Sequence, residues 1–363
     1  MIIIDGSQGE GGGQIVRTAL AMSALTQKPI TITNIRKGRC VSGLKAEHLA
    51  CITALGELCD AGVEGAVLGS ETVIFTPKHP VKARTLSLDI GTAGSITLLL
   101  QALLPVCIRV HPKVRIKVKG GTDVKWSQPV DYFREILLPV LEQYASITLT
   151  VEQRGYFPTG GGSVDLLMKP HEGVMPPISI TDRGKLIQLK GVSHASSMLE
   201  KNTVAERQAR SAMATLSSLN VPIDIRTEYC PSTCPGSGIT LWAVYENADE
   251  KQCRIGADSL GEKGKSAEAV GKEAAERLLN EIAYGAPIDE YLADNLIPFL
   301  AFVGGAIKVS KISNHTHTNI AVVEQFLGKL FSIQGSTISS TPVLSAAIPS
   351  SAPESDSQSD VAR

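Results

Sequence analysis

"PISITDRG" (residues 177–184) reads as the opening strand of a structural unit, but no helix follows it. The missing helical pattern returns about a hundred residues later, as "PIDEYLADNLIPFLAFVGG" (287–305). Upstream, period-2 and period-3.6 runs alternate regularly. They predict strand Ile2–Ile4, helix Gln14–Thr26, strand Ile30–Ile35, helix Leu44–Cys59 and strands Val63–Leu68 and Thr72–Thr76. The same β-α-β-α-β-β order then recurs. It comprises strand Leu86–Ile90, helix Ile96–Val106, strand Val114–Val118, helix Pro129–Tyr144 and strands Ile147–Val151 and Ser163–Met168. "PISITDRG" begins a third copy, completed after helix 287–305 by strand Ile307–Lys311, helix Thr318–Phe326 and strand Leu330–Gln334. Repetition at a matching period marks a repeated supersecondary unit.

The expected fold class is therefore α/β (α+β). Three repeated βαβαββ units form a large domain, and a smaller βαβββα-like domain is inserted in the third repeat. The expected divisions are 1–184 for repeats 1 and 2 with the first strand of repeat 3, and 185–280 for the insertion. The rest of repeat 3 follows at 281–337, and a Ser/Pro/Asp-rich disordered tail at 338–363. In the insertion, "TVAERQARSAMATLSSL" and "SAEAVGKEAAERLLNEIA" read as helices, with a strand pair around 223–245. Glu206, Arg207 and Arg210 fall on exposed positions of the first helix, and nothing there looks catalytic.

Hydrophobic residues make up 43% of the 363 and charged residues 20%, a globular composition without a run long enough to span a membrane. A net charge of −1 argues against a generally basic nucleic-acid binder, and no DNA-specific feature is present. Seven scattered cysteines, an odd number, point to a reducing compartment, and the chain opens directly on a strand without a targeting pattern. A cytoplasmic setting is expected, or a nuclear one in a eukaryote. Cys230 and Cys234 form the single close pair, which is weak support for a metal site. The oligomeric state is not legible.

"GSQGEGGGQ" (6–14) fits neither the dinucleotide glycine pattern nor a P-loop. It does lead into a helix N-terminus, a natural anion site. Gln14 and Arg17 share one face of that helix. Glu10 is out of place beside an anion unless a divalent metal bridges it to a polyphosphate. A basic cluster, Arg36, Lys37 and Arg39, follows the second strand, with Lys45 and His48 on the next helix. These loops open at one sheet edge in a βαβ arrangement. Near the C-terminal end, "SNHTHTNIAVVEQFL" (313–327) sets His315 and His317 just before an amphipathic helix. Tyr291, Asp294 and Pro298 form one stripe of helix 287–305, opposite a core stripe of Leu292, Leu296, Phe299, Leu300 and Val303. A ring and a carboxylate one turn apart suit an adenosine.

"DGSQGEGGGQIVR", "IRKGRCVSGLKAEHL", "GTAGSITLLLQALLP", "KGGTD", "RGYFPTGGG", "DEYLADNL" and "HTHTNIAVVEQFL" occur together and in this order. As a set, spanning residues 1 to about 335, they resemble the RNA 3′-terminal phosphate cyclase family. The resemblance implies ATP-dependent conversion of an RNA 3′-phosphate to a 2′,3′-cyclic phosphodiester. The route runs through an adenylylated histidine and an RNA(3′)pp(5′)A intermediate, with Mg2+ or Mn2+. RNA 3′-phosphate ends are the implied partner. Carried over by position, the nucleophile is His315, with His317 as its rival because the family needs no histidine there. Glu10 falls at the metal position. Gln14, Arg17, Arg36, Arg39, His48 and Gln101 fall at phosphate-site positions, and Tyr291, Asp294 and Pro129 at the adenosine pocket. Arg154 and Tyr156 are candidates for the RNA path. The competing reading is a non-catalytic cyclase-like protein assisting ribosome assembly, a branch that lacks the histidine. An enolpyruvyl-transferase-like enzyme of similar repeats would need no histidine nucleophile.

Overall fold

The computed structural model describes residues 1–343. The first unit comprises β1 (Ile2–Asp5), α1 (Gly13–Thr26), β2 (Ile30–Thr33), α2 (Ala46–Cys59), β3 (Gly62–Glu64) and β4 (Val73–Thr76). The second comprises β5 (Thr85–Asp89), α3 (Ile96–Cys107), β6 (Val114–Gly120), α4 (Val130–Tyr132), α5 (Leu138–Leu141), β7 (Ala145–Gln153) and β8 (Gly162–Pro170). A π-helical stretch, Phe133–Leu137, joins α4 to α5. β9 (Ile178–Ile180) opens the third unit. There the chain departs into β10 (Lys185–Ser196), α6 (Val204–Leu216), β11 (Ile223–Cys230), β12 (Ser237–Glu246), β13 (Gln252–Leu260) and α7 (Ala267–Tyr284). It returns as α8 (Glu290–Val303), β14 (Gly305–Lys308), α9 (Asn314–Leu327), β15 (Phe331–Gln334) and β16 (Thr337–Ser340).

The three repeated sheets share one topology: β1-β2-β4-β3, β5-β6-β8-β7 and β9-β14-β16-β15. In each, the first two strands are parallel and the remaining pairs antiparallel. β9 pairs with β14 across the whole insertion, Ile178 opposite Gly305 and Ile180 opposite Ile307. The alternation in β6, with Val114, Ile116 and Val118 buried and Arg115, Lys117 and Lys119 exposed, leaves one face for helices and one for water. Helices then cover one another: α1 packs on α2, α3 and α9, and α8 packs on α9. α1 is consequently buried from Gln14 to Thr26.

The inserted sheet is ordered β11-β10-β12-β13, with α6 and α7 packed together and a separate core of Leu216, Leu241, Ile255, Val270 and Leu278. Three strands follow α6, giving the expected βαβββα order, and the pair located by pattern corresponds to β11 and β12. The sheet approaches the second unit closely: a Cβ on Gly256 would lie 2.2 Å from Ile136 Cδ1. Glu206 and Arg207 are partly buried rather than fully exposed: Glu206 accepts from the Tyr229 hydroxyl, and Arg207 pairs with Glu268.

Several boundaries differ from the sequence reading. α9 starts at Asn314, because Ser313 supplies an N-cap by accepting from the Thr316 N–H at 2.9 Å. His315 and His317 therefore lie in its first turn, not before it. Gly65, at φ 77, ends β3 well short of Leu68. The range expected as a tail begins inside β16, whose mostly polar residues hide a strand with only Ile338 and Ser340 buried. The remainder of that range, 344–363, lies outside the described residues. Among the described residues no helix is long and apolar enough to cross a membrane.

Candidate active site

The glycine loop ends at Gly12, the N-cap of α1, which provides no side-chain cap. By contrast α3, α7, α8 and α9 are capped by Ser95, Ser266, Asp289 and Ser313. The first N–H groups of α1 are thus left for another acceptor. Two glycines are required sterically. Gly9, at φ 57, would place a Cβ 2.4 Å from Thr318 Oγ1, and a Cβ on Gly13 would fall 2.1 Å from His48 Nε2.

Arg17 is 7% exposed, and its Nη2 donates to Gln14 Oε1 at 2.6 Å and more distantly to Gln101 Oε1 at 3.5 Å. No carboxylate lies within ion-pair distance of it among the described residues, and its Nε has no partner. His48 is buried beside it. Its Nδ1 accepts from the Lys45 N–H at 3.0 Å, which puts the proton of a neutral ring on Nε2, also unpartnered. Burial, then Arg17, Arg36 and Lys45, push His48 down to about 3, so the ring is neutral. A buried guanidinium without a counter-charge, beside an orphaned imidazole N–H and an uncapped helix, forms an incomplete anion site.

His315 reaches this edge from the third unit. Its Nε2 lies 3.0 Å from Glu10 Oε2, and its Nδ1 is buried without a partner. Burial lowers its proton affinity, Glu10 raises it, and Arg17 and Arg39 lower it again, leaving it below the ordinary histidine value. Arg39 also holds Glu10, at 3.3 Å. Glu10 is therefore flanked by two potential cations. His317, two residues on, is exposed on the other side of the helical turn.

Asp294 lines a narrow cavity with Gln14, Arg17, Gln101, Asn295 and Pro298. Its Oδ1 accepts from Ser313 at 2.8 Å and Thr316 at 2.5 Å. Burial pushes its carboxyl up to about 7 despite those donors. Tyr291 is 40% exposed and meets Tyr132 edge-on at 6.3 Å. Arg36 and Pro129 do not line the cavity, although the charge of Arg36 still acts on His48. Arg36, at φ 56, turns its Nη1 onto the Gly43 carbonyl at 3.0 Å and closes its own loop. Pro129 is buried as the N-cap of α4.

Arg154 and Tyr156 are each 3% exposed, so neither offers a surface to RNA. Arg154 bonds Asp123 at 3.1 Å, Asp131 at 2.6 Å and Glu228 at 2.5 Å, tying the second unit to the insertion. The Tyr156 hydroxyl meets His194 Nδ1 at 2.8 Å. Asp123, Asp131 and His194 converge as metal ligands would, but the guanidinium already occupies both carboxylates. Cys230 and Cys234 are free thiols; Cys234 bonds the Tyr156 carbonyl.

Pattern reading missed Asn319. It is fully buried, accepts from Gln14 and Thr18 and donates to the Asp294 carbonyl at 3.0 Å. An asparagine on the apolar face of α9, beside Ile320, Val322 and Val323, was the available signal.

The geometry defines a repeated-unit α+β protein with an uncapped, glycine-rich helix N-terminus and a histidine of lowered proton affinity at its rim. The chain belongs to the RNA 3′-terminal phosphate cyclase family, whose model matches residues 8–333. It is 47% identical to RNA 3′-terminal phosphate cyclase of Pyrococcus abyssi over 92% of this chain and 96% of that one. The Hyperthermus butylicus protein of the same name is 45% identical over 90% and 92%. That of Thermococcus kodakarensis is 43% identical over 92% and 94%.

Proposed function

We propose that the protein converts RNA 3′-terminal phosphates to 2′,3′-cyclic phosphodiesters at the expense of ATP, through adenylylation of His315. The observation that carries the reading is Arg17: buried, without a carboxylate partner, and set against the orphaned His48 N–H and the uncapped start of α1. Phosphate oxygens satisfy all three. Arg39 adds a second, exposed cation at the rim.

In the first step a lone pair of the neutral His315 ring attacks the α-phosphorus, and the bond to the β-phosphate oxygen breaks. Pyrophosphate leaves with its charge met by arginine and backbone N–H groups. A lowered proton affinity keeps that lone pair available near neutral pH. In the second step an oxygen of the RNA 3′-phosphate displaces His315 from the adenylyl phosphorus. The product is a phosphoanhydride, RNA(3′)pp(5′)A. The neighbouring 2′-hydroxyl then attacks the RNA phosphorus, loses its proton and expels AMP. Ring closure is intramolecular and needs mainly orientation.

Tyr291 and Asp294 are assigned to the adenosine, the ring against the base and the free carboxylate oxygen toward the ribose. Glu10 is the carboxylate that touches His315 and Arg39 at the rim of the phosphate site. It fits Mg2+ or Mn2+ as one protein ligand, the remaining positions belonging to phosphate and water, and the ion would neutralise phosphate charge there. We place the reaction in the cytoplasm, in keeping with seven free cysteines.

The test is incubation with α-labelled ATP and Mg2+ without RNA, followed by denaturing electrophoresis. An alkali-stable, acid-labile label is expected on the intact protein and on His317→Ala, and none on His315→Ala. An unlabelled intact protein would overturn the mechanism in favour of a non-catalytic role. Label lost only from His317→Ala would move the nucleophile.

A further inference from the structure

The chain has two tryptophans: Trp242 is 4% exposed and Trp126 is 94% exposed. Slack in the loop does not account for that exposure. Thr122, Asp123 and Val124 before it are buried, and the Val130 N–H closes the loop onto the Thr122 carbonyl at 3.0 Å. Ser127 Oγ donates to the Val124 carbonyl at 3.1 Å, and Thr97 of α3 donates to the Gln128 carbonyl at 2.7 Å. Trp126 itself sits at φ 71, a region unfavourable for a bulky side chain. An ordered loop therefore holds a whole indole in water and does so through a strained residue. Loops with such strain cluster at ligand-binding sites.

A second ring stands on the adjoining loop. Phe157 is 74% exposed, and the two loops are joined where the Asp123 N–H meets the Gly155 carbonyl at 3.2 Å. Lys125 flanks Trp126 and pairs with Glu262 at 2.8 Å, bringing up the exposed Lys263, which has no ion pair among the described residues. The location also matters. The Trp126 loop is tied through Gln128 to α3, the helix whose Gln101 lines the cavity with Arg17 and Asp294.

We propose that Trp126 and Phe157 form a base-stacking platform for the single-stranded RNA whose 3′ end enters the site, a proposal that rests on the function given above. Aromatic faces accept any base, which suits an enzyme acting on an end rather than a sequence, and the lysines favour the phosphate backbone. Stacking is a property of the strand upstream of the reacting phosphate, so it leaves the ATP half-reaction untouched.

The probe is a single-stranded RNA octamer ending in a 3′-hydroxyl, which binds without reacting. With Trp242 buried, exposed-indole emission reports Trp126 alone. Saturable quenching by the octamer is expected in the intact protein and absent in Trp126→Ala. With a 3′-phosphorylated octamer, Trp126→Ala and Phe157→Ala should each raise KM by roughly 5- to 150-fold, the range of one lost base stack. Trp126→Phe should recover most of the loss, and labelling of His315 by ATP should be unchanged in all three. No quenching of the intact protein, or an octamer KM within twofold of it in Trp126→Ala, would overturn the platform. So would a concentration-dependent dimer abolished by Trp126→Ala without RNA quenching, which would make the patch a self-association surface. Because quenching needs no turnover, failure of the platform and failure of the cyclase reading give different results.

Discussion

The side-chain amide of Gln14 donates to Asn319 Oδ1 at 2.8 Å, across 305 residues of sequence. The same oxygen accepts from Thr18 at 2.6 Å, and Gln14 Oε1 in turn holds Arg17. One buried amide thus orients the residue that orients the buried guanidinium, and joins the third unit to the first. Replacing Asn319 by Leu should cost about 1–3 kcal/mol by stranding two buried donors. Labelling by ATP should fall as well, with the larger change in ATP affinity. Chemical denaturation and an ATP titration of labelling check the two parts separately.

Gly13→Ala should displace the His48 ring, because the new Cβ would sit 2.1 Å from Nε2. Stability and ATP labelling should both drop. In the double variant Gly13→Ala/His48→Ala the clash is gone, so stability should partly recover while labelling does not. A double-mutant cycle on denaturation midpoints measures that coupling.

The pH dependence has a definite sign. An unfolded histidine binds its proton near 6.5, whereas native His48 does so only at about 3. Between those values the unfolded chain holds the extra proton, so this group lowers stability as pH falls from about 6.5 toward 3. Asp294 runs the other way. Its native carboxyl titrates at about 7, so its contribution is present in acid and lost as pH rises through 7. His48→Gln should flatten the acid limb of a stability-versus-pH curve, and Asp294→Asn should flatten the limb near neutrality. The labelling rate should hold down to a pH below the ordinary histidine value, since His315 is depressed.

Arg154→Met should be among the most damaging single changes away from the cavity. Burial opposes the charge on both partners, but His194 and Arg154 hold Asp123 below the usual carboxylate range, while Asp131 and Asp123 raise Arg154. Removing the guanidinium takes away the one group that bonds both buried carboxylates, leaving Asp123 to His194 and Asp131 to Arg134. A loss of about 3–5 kcal/mol is expected in equilibrium denaturation.

Glu10→Gln keeps a hydrogen-bonding oxygen beside His315 but removes the charge. The labelling rate should fall, and the Mg2+ concentration giving half the maximal rate should rise. An unchanged metal dependence would remove Glu10 from the metal site.

Much of this protein was legible in its sequence because the information is periodic and local. The alternation in β6, the apolar stripe of α8 and the helix missing after Ile180 revealed three units and an interruption. The glycines before α1 signalled an open helix start, because Gly9 and Gly11 take φ 57 and 55 without strain, and a Cβ on Gly9 would meet Thr318 Oγ1 at 2.4 Å. The tertiary structure decided what depends on residues far apart in the chain. It turned Arg36 inward to its own loop, buried Arg154 and Tyr156 where an RNA path was expected, and placed His315 rather than His317 against Glu10. The importance of Asn319 arises only when α9 packs on α1, since a buried amide takes its meaning from partners that no spacing within its own helix can supply.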